Sequence, residues 1–417
     1  MQYMQFINGH SDAKLDELQL KKALTYIDNY WPEVTRSQKS DKDTLIKLPH
    51  PYVVPTANKE VDFRFDEEYY WDSFFIAVGL NEAKHQSLVE GMLDNLIYLL
   101  KRFGMVPTAN RMYFTSRTQP PFLTSFIFLV YERYGKSSKW LGEHIEAAKD
   151  EYHRVWMYDK HPRWHLVHRG LSRYYDVNML HDLAEAASGW DMTPRFERKC
   201  LDYLPIDLNC LLYKYEMDFA RAADILGDPS EANAWRSKAA QRREAVNELM
   251  WAKVRGFFFD YNYQKKEKGT VWSLAAYYAM WSGLASHEQA ARLVSALSNF
   301  EKAGGLVATT RPLIDMTMFG SLKTQWAYPN GWAPLHYLVC GGLERYGYNT
   351  EAEKTARKWL KTNLDWFEKK GEFIEKYNMV NPRKMPIAGV YPTQSGFGWT
   401  NAIFRYLALK YGPEVSG

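Results

Sequence analysis

Two carboxylic acids occur in sequence settings that suit acid–base chemistry. Asp191 directly follows Trp190 and lies between Gly189 and Pro194, which both break a helical pattern, so we expect it on a loop between helices. An apolar ring next to a carboxyl raises its pKa by desolvation, as a general acid at neutral pH requires. Glu375 lies between a predicted helix and a glycine-rich turn. Taken singly, Asp191 is more readily interpreted as a helix or turn cap, and Glu375 as a solvated charge.

Four further stretches combine aromatic rings with polar side chains. Sugars present flat C–H faces that pack on rings, and hydroxyls that need donors and acceptors, so this combination suits a sugar site. Aromatic residues make up 16% of the chain, although most are expected simply to fill a wide helical core. The candidate binding residues, with Trp190, are Arg64, Trp71 and Asp72; Arg117 and Gln119; Gln325, Trp326, Asn330 and Trp332; and Gln394, Phe397 and Trp399.

Composition excludes several other classes of protein. The 417 residues carry 53 basic and 49 acidic side chains, interspersed, so no nucleic acid partner is expected. Three cysteines and scattered histidines form no disulfide framework or metal motif, and we predict no metal site. The chain has no apolar run long enough to cross a membrane, and its first residues lack the apolar region of a signal peptide, so we expect none. We therefore expect no membrane partner and a cytoplasmic location; the oligomeric state stays open.

The elements that must position these residues are helices. Helical periodicity predicts about a dozen, among them residues 14–30, which end before Pro32, 67–80, 85–103, 176–187, 207–226 and 398–411. Only residues 256–263 read as a strand. Without a linker-like tract, residues 1–417 are predicted as a single domain, with 1–47 as an N-terminal helical extension. Helix pairs recurring along the chain favour an all-α barrel (toroid) whose end loops carry the site.

Taken together and in this order, the stretches resemble the trehalases of glycoside hydrolase family 37 over about residues 48–411. Residues 64–73 look like the body of the first trehalase signature, and 116–122 are similar to the family's Ser-Arg-Ser-Gln-Pro-Pro-Phe. Residues 188–191 match the segment of the general acid, 325–334 the second signature, 375–377 the segment of the general base, and 396–401 complete the set. The resemblance implies an (α/α)6 barrel that acts on a small-molecule sugar.

The resemblance also implies an inverting α-glycosidase that needs no cofactor and hydrolyses trehalose to two glucose molecules. By position, Asp191 would protonate the glycosidic oxygen and Glu375 would activate water on the opposite face. An inverting mechanism requires about 6.5–9.5 Å between the two carboxyl groups, which leaves room for that water.

Several departures from the family concern the groups that hold the leaving sugar. Ala327 stands where the second signature has Asp, which we would expect to stay solvated on a loop. No counterpart of the family's Arg-Pro-Glu loop precedes Asp191, and Val390 replaces a Glu. We therefore expect a tight first subsite for α-glucose and a looser second one. The alternatives are a family 63-like α-glucosidase or glucosylglycerate/mannosylglycerate hydrolase, an inactive sugar-binding protein, and a purely structural helical repeat.

Overall fold

Thirteen α-helices make up about half of the part of the chain that the computed structural model describes, residues 15–57, 64–160, 164–311, 324–389 and 391–413. They are α1 (Glu17–Val34), α2 (Tyr70–Gly79), α3 (Gln86–Phe103), α4 (Leu123–Arg133), α5 (Ser138–Glu151), α6 (His181–Ala187), α7 (Ile206–Leu226), α8 (Pro229–Met250), α9 (Tyr278–Trp281), α10 (His287–Ala296), α11 (Ala333–Arg345), α12 (Asn349–Lys370) and α13 (Gly398–Tyr411).

The strands are two or three residues long and pair antiparallel in small sheets between the helices. They are β1 (Thr35–Arg36), β2 (Tyr52–Val53), β3 (Leu166–His168), β4 (Leu171–Ser172), β5 (Tyr203–Leu204), β6 (Trp251–Ala252), β7 (Phe257–Phe258), β8 (Tyr261–Asn262), β9 (Glu267–Lys268), β10 (Glu301–Lys302), β11 (Gly305–Leu306), β12 (Asn330–Trp332) and β13 (Lys376–Asn378). Of these, β12 and β13 matter most for function, because their pairing places Trp332 opposite Lys376.

Six helices close into an inner ring. Helix α2 packs on α4, α4 on α7, α7 on α9, α9 on α11, α11 on α13, and α13 returns to α2. Every residue of α2 is buried, as expected for a helix with neighbours on all sides. The ring closes tightly at Gly79, where the backbone of Ala402 leaves no room for a Cβ atom.

A second set of helices covers the outside of this ring. Helix α3 packs against α2 and α4, α5 against α4 and α7, α8 against α7, α12 against α11 and α13, and α1 against α12 and α13. Helix α12 shows the amphipathic pattern that this position requires, since Ala352, Ala356, Trp359 and Leu360 are buried and its charged residues face outward. The predicted all-α fold, an (α/α)6 barrel, is confirmed. Over the described residues, none of the helices combines the length and hydropathy that crossing a bilayer requires.

Some predicted boundaries are wrong, each for a local reason. Helix α1 does not end before Pro32 but runs on to Val34. A proline in the last turn removes only one helical hydrogen bond, and the burial of Ile27, Trp31 and Val34 offsets that loss.

Two other corrections concern turns that periodicity alone does not reveal. The helix predicted over 176–187 begins at His181, because Asp176 accepts hydrogen bonds from the backbone and side chain of Asn178, and Met179 has a positive φ of 55°. The strand predicted over 256–263 is two strands, since β7 pairs with β6 whereas β8 pairs with β5 and β9.

Candidate active site

Five tryptophans from separate stretches of the sequence pack into one group, which we call the aromatic cluster: Trp71, Trp190, Trp326, Trp332 and Trp399. The rings of Trp326 and Trp332 stack at 3.8 Å with an interplanar angle of 1°, and Trp190 stacks on Trp326 at 5.4 Å. Trp71 lies 5.6 Å from Trp326 and 5.8 Å from Trp399. Since Trp71 and Trp399 lie in the first turns of α2 and α13, and Trp332 directly precedes α11, the N-terminal ends of three neighbouring inner helices meet here.

The loop that carries Asp191 is held from two sides. Gly189 adopts a φ of +75°, and a Cβ atom there would lie 2.6 Å from the Trp71 ring, so only glycine fits. On the other side, the side-chain amide of Gln325 donates to the Asp191 carbonyl at 2.5 Å, and the Trp326 backbone N–H donates to the Met192 carbonyl at 3.0 Å. The general-acid candidate therefore sits on a loop that its neighbours fix in place.

The environment of the Asp191 carboxyl favours its protonated form. The residue keeps part of its surface open, as contact with a substrate requires, although protein atoms enclose it closely. Burial is the main reason that its pKa is raised to about 7, and the negative charge of Glu375 adds to this, while Lys376 acts in the opposite direction. A carboxyl with that pKa can hold a proton near neutrality and release it in the reaction.

Glu375 is fully buried and held at every polar atom. Its backbone N–H donates to the Gln394 carbonyl at 2.9 Å, and its own carbonyl accepts from Trp399 Nε1 and Thr400 Oγ1, both at 3.3 Å. In the side chain, Oε1 accepts from the Tyr391 hydroxyl at 2.7 Å, and Oε2 accepts from Lys376 Nζ at 2.6 Å. The carboxylate is thus oriented by two donors on opposite oxygens.

Asp72 is the third carboxyl of the site. Burial raises its pKa to about 8, and the charges of Asp191 and Glu375 contribute to this rise. Asp72 therefore keeps its proton at neutral pH and can donate a hydrogen bond to a sugar hydroxyl. Through these mutual interactions, the structure brings together Asp72, Asp191 and Glu375 next to the aromatic cluster.

Other predicted binding residues border this group. Gln119 Oε1 accepts from the Trp71 backbone N–H at 3.2 Å, and the Phe397 ring packs 4.8 Å from Trp399. Gln394 is buried and donates through Nε2 to the Pro392 carbonyl at 2.8 Å.

Two predicted binding residues are occupied by contacts within the protein. Arg117 forms an ion pair of 3.1 Å with Asp176. The Asn330 side-chain amide donates to the Ile387 carbonyl at 2.8 Å and accepts from the Ile387 backbone N–H at 3.0 Å. It also donates to the Gln325 carbonyl. Asn330 thereby ties a loop to β12.

Arg64 is exposed, and within the described residues it forms no hydrogen bond or ion pair with Asp72, Asp191 or Glu375. Ala327 is only 3% exposed, so an Asp there would be buried rather than solvated, contrary to expectation. Val390, residues 1–14 of the predicted N-terminal extension, and residues 58–63 before Arg64 lie outside the described residues.

Sequence reasoning assigned no role to three residues that support the carboxyls. Lys376 and Tyr391 hold Glu375, and Glu185 Oε1 accepts the Thr193 backbone N–H at 2.7 Å, which fixes the far side of the Asp191 loop. Burial raises the pKa of Glu185 to about 8. The position of Lys376 next to Glu375 in the sequence could have suggested its role. The roles of Tyr391 and Glu185 could not be predicted, because periodicity does not reveal their side-chain contacts.

Comparison with known proteins agrees with this geometry. The family model described as Trehalase matches residues 3–185 and 174–412. The fold is similar to neutral trehalase Nth1 from Saccharomyces cerevisiae, with a TM-score of 0.76 and 30% identity over 94% of this chain and 80% of that one. It is also similar to a GH63 mannosylglycerate hydrolase from Thermus thermophilus, with a TM-score of 0.66 and 18% identity over 92% of this chain and 99% of that one. The chain therefore belongs to the trehalase family and is a glycoside hydrolase.

Proposed function

We propose that the protein is an inverting α-glycosidase that hydrolyses trehalose to two glucose molecules. The observation that carries the proposal is the pairing of Asp191, whose pKa of about 7 suits a proton donor, with Glu375, a buried carboxylate oriented by two donors. The adjoining aromatic cluster supplies flat faces for a pyranose ring. Membership of the trehalase family supports the same chemistry.

In the proposed reaction, Asp191 transfers its proton to the glycosidic oxygen as the bond from that oxygen to the anomeric carbon breaks. Water attacks the anomeric carbon from the opposite face, and Glu375 takes a proton from it. The attacked glucose leaves as the β-anomer and the other glucose as the α-anomer. Asp72, protonated at neutral pH, donates a hydrogen bond to a hydroxyl of the bound sugar. Afterwards the proton on Glu375 passes to solvent and Asp191 is reprotonated.

A neutral leaving group is favoured by the charges around the site. Of the cations among or next to the predicted binding residues, Arg117 pairs with Asp176 at 3.1 Å, Lys376 pairs with Glu375 at 2.6 Å, and Arg64 is exposed to solvent. A glycerate leaving group brings a carboxylate that would need a cation of its own. Glucose needs only hydrogen bonds, which supports trehalose over glucosylglycerate as the substrate.

The test is a coupled glucose-release assay on trehalose, kojibiose, nigerose, maltose and glucosylglycerate. Trehalose is expected to give the highest kcat/KM. Early ¹H NMR spectra of the trehalose reaction should show equal amounts of α- and β-glucose, whereas α-glucose alone would mean a retaining mechanism. If no sugar of the panel is cleaved, the hydrolase assignment for these substrates fails, and calorimetric binding of trehalose would then indicate a sugar-binding protein.

A further inference from the structure

Lys376 is a fully buried cation next to the residue proposed as the general base. Its Nζ lies 2.6 Å from Glu375 Oε2, and both side chains are 0% exposed. We propose that Lys376 is a positioning residue that orients the Glu375 carboxylate for water activation and supplies the counter-charge that this buried carboxylate needs. This inference rests on the proposed function and deepens it.

The surroundings of Lys376 direct its charge to Glu375. Strand pairing puts Lys376 opposite Trp332, and Nζ lies 4.9 Å from the centre of that ring and 5.7 Å from that of Tyr391. These ring faces attract the cation weakly but cannot accept its charge-assisted hydrogen bond as a carboxylate can. An ammonium removed from water needs such a partner, and the Glu375 carboxylate provides it.

The charges around Glu375 explain why the reaction would need this lysine. Asp72 and Asp191 both interact electrostatically with Glu375, and the Tyr391 hydroxyl donates to it at 2.7 Å. Burial and the nearby carboxylates raise the pKa of Tyr391 well above its usual range, so that group stays neutral and brings no positive charge. Lys376 is therefore a cation in direct contact with one member of this group of three carboxyls. Without it, the buried Glu375 carboxylate would lose both its counter-charge and the charge-assisted hydrogen bond that orients Oε2.

The decisive measurement is the pH dependence of kcat/KM on trehalose for Lys376→Met. The alkaline limb, which we assign to Asp191, should move up, because Lys376 lowers the pKa of Asp191 in the wild type. At pH 6 the variant should lose at least about 10-fold in kcat, because the carboxylate that activates water is no longer held in place. The loss relative to wild type should be smaller above pH 7, where Asp191 of the variant keeps its proton. An equal loss at every pH, with the alkaline limb unmoved, would mean a purely structural role and would overturn the proposal.

Lys214→Met is the matched control. Lys214 is also largely buried, pairs with Asp218 at 2.8 Å and lies 5.5 Å from the centre of the Trp281 ring, but it belongs to α7 and contacts none of the three site carboxyls. It should lower the melting temperature without moving the alkaline limb. If it moves that limb as much as Lys376→Met does, the effect is not specific to Glu375.

A thermal-denaturation cycle tests the pair without catalysis. Glu375→Gln and Lys376→Met each leave one buried charge unpaired, whereas the double variant leaves none. The double variant should therefore lose less in melting temperature than the sum of the two single losses. Additive losses would show that the pair is not coupled and would overturn the inference, even if the wild type hydrolyses trehalose. A wild type that cleaves no sugar overturns the proposed function, and the catalytic role of Lys376 with it, whatever the cycle gives.

Discussion

The side-chain amide of Gln325 donates to the backbone carbonyl of Asp191 at 2.5 Å, across 134 residues of sequence. The same residue accepts at its own carbonyl from Trp332 Nε1 at 3.3 Å and from Asn330 Nδ2 at 3.0 Å. Gln325 thereby joins the loop of the proposed acid to the segment that leads into α11. The position of Asp191 depends on a residue that the sequence suggests only as a sugar ligand.

Gln325→Leu should therefore reduce catalysis by displacing Asp191. Leucine has about the same volume as glutamine but lacks the amide that holds the loop. A shift of about 1 Å in a catalytic group can cost on the order of 100-fold in rate, so we expect a 10- to 100-fold loss of kcat. Steady-state kinetics on trehalose provide the measurement. The control is Gln289→Leu, which removes a buried glutamine that caps α10 and should affect the melting temperature but not kcat. A change confined to KM would instead make Gln325 a substrate-binding residue.

Asp191→Asn and Glu375→Gln should each nearly abolish hydrolysis while the fold remains intact. General acid or base assistance contributes about 10²–10⁴-fold, and an inverting enzyme forms no covalent intermediate that would bypass either step. Single-turnover rates and circular dichroism on both variants give the two readouts. A residual rate above about a tenth of the wild-type value in either variant would remove that residue from the proposed dyad.

The alkaline limb of the pH–rate profile should report Asp191. Its pKa is raised to about 7 by burial and by the charge of Glu375, and only the protonated form can act as the acid. Activity should thus fall as the pH rises through about 7. Adding salt should move this limb little, because enclosed charges are poorly screened. An alkaline limb centred more than about two pH units from 7 would assign this titration to a group other than Asp191.

Stability should follow the same buried carboxyls. The folded-state pKa of Asp72 is raised to about 8, above its ordinary value, so the stability that its proton contributes is complete below about pH 4 and is lost as the pH rises through 8. Asp72→Asn keeps the shape of the protonated acid and cannot ionise. Its melting temperature relative to wild type should therefore be higher at pH 9 than at pH 5. An unchanged difference at the two pH values would mean that Asp72 does not titrate as the structure indicates.

The helical ring could be predicted from the sequence because periodicity reports which face of a helix is buried. Helix α13 begins and ends where the pattern places it, at Gly398 and Tyr411. Helix ends were harder to predict from the sequence. The start of α6 depends on hydrogen bonds to the Asp176 side chain, and α1 continues past Pro32 because the packing of its last turn outweighs the lost hydrogen bond.

Side-chain partners are harder to infer than the elements that carry them. The sequence suggests the group of Asp191, Glu375 and the aromatic cluster, which the structure brings together. It does not reveal that Asn330 pairs with the backbone of Ile387 or that Arg117 is occupied by Asp176, since each contact joins stretches far apart in the chain. The roles predicted for these residues in binding sugar remain predictions.

The contact between Gly189 and Trp71 offers a last test of how the Asp191 loop is positioned. Gly189→Ala places a Cβ atom 2.6 Å from the Trp71 ring, and its φ of +75° adds backbone strain. Gly170→Ala is the matched control, because Gly170 has a φ of +74° but nothing within 4 Å of where the Cβ would lie. Both variants should lose about 1 kcal/mol to the left-handed backbone, and Gly189→Ala about 1–3 kcal/mol more from overpacking.

The two variants should differ more in catalysis than in stability. Because Trp71 contacts Trp326 and Trp399, moving its ring disturbs the aromatic cluster as well as the neighbouring Asp191. Gly189→Ala should therefore lower kcat/KM on trehalose by about 10-fold or more, as expected for a misplaced catalytic group. Gly170→Ala should keep the wild-type value. Urea denaturation and steady-state kinetics on the pair measure both effects, and equal losses in the two variants would show that backbone strain alone, and not the fit against Trp71, requires glycine at 189.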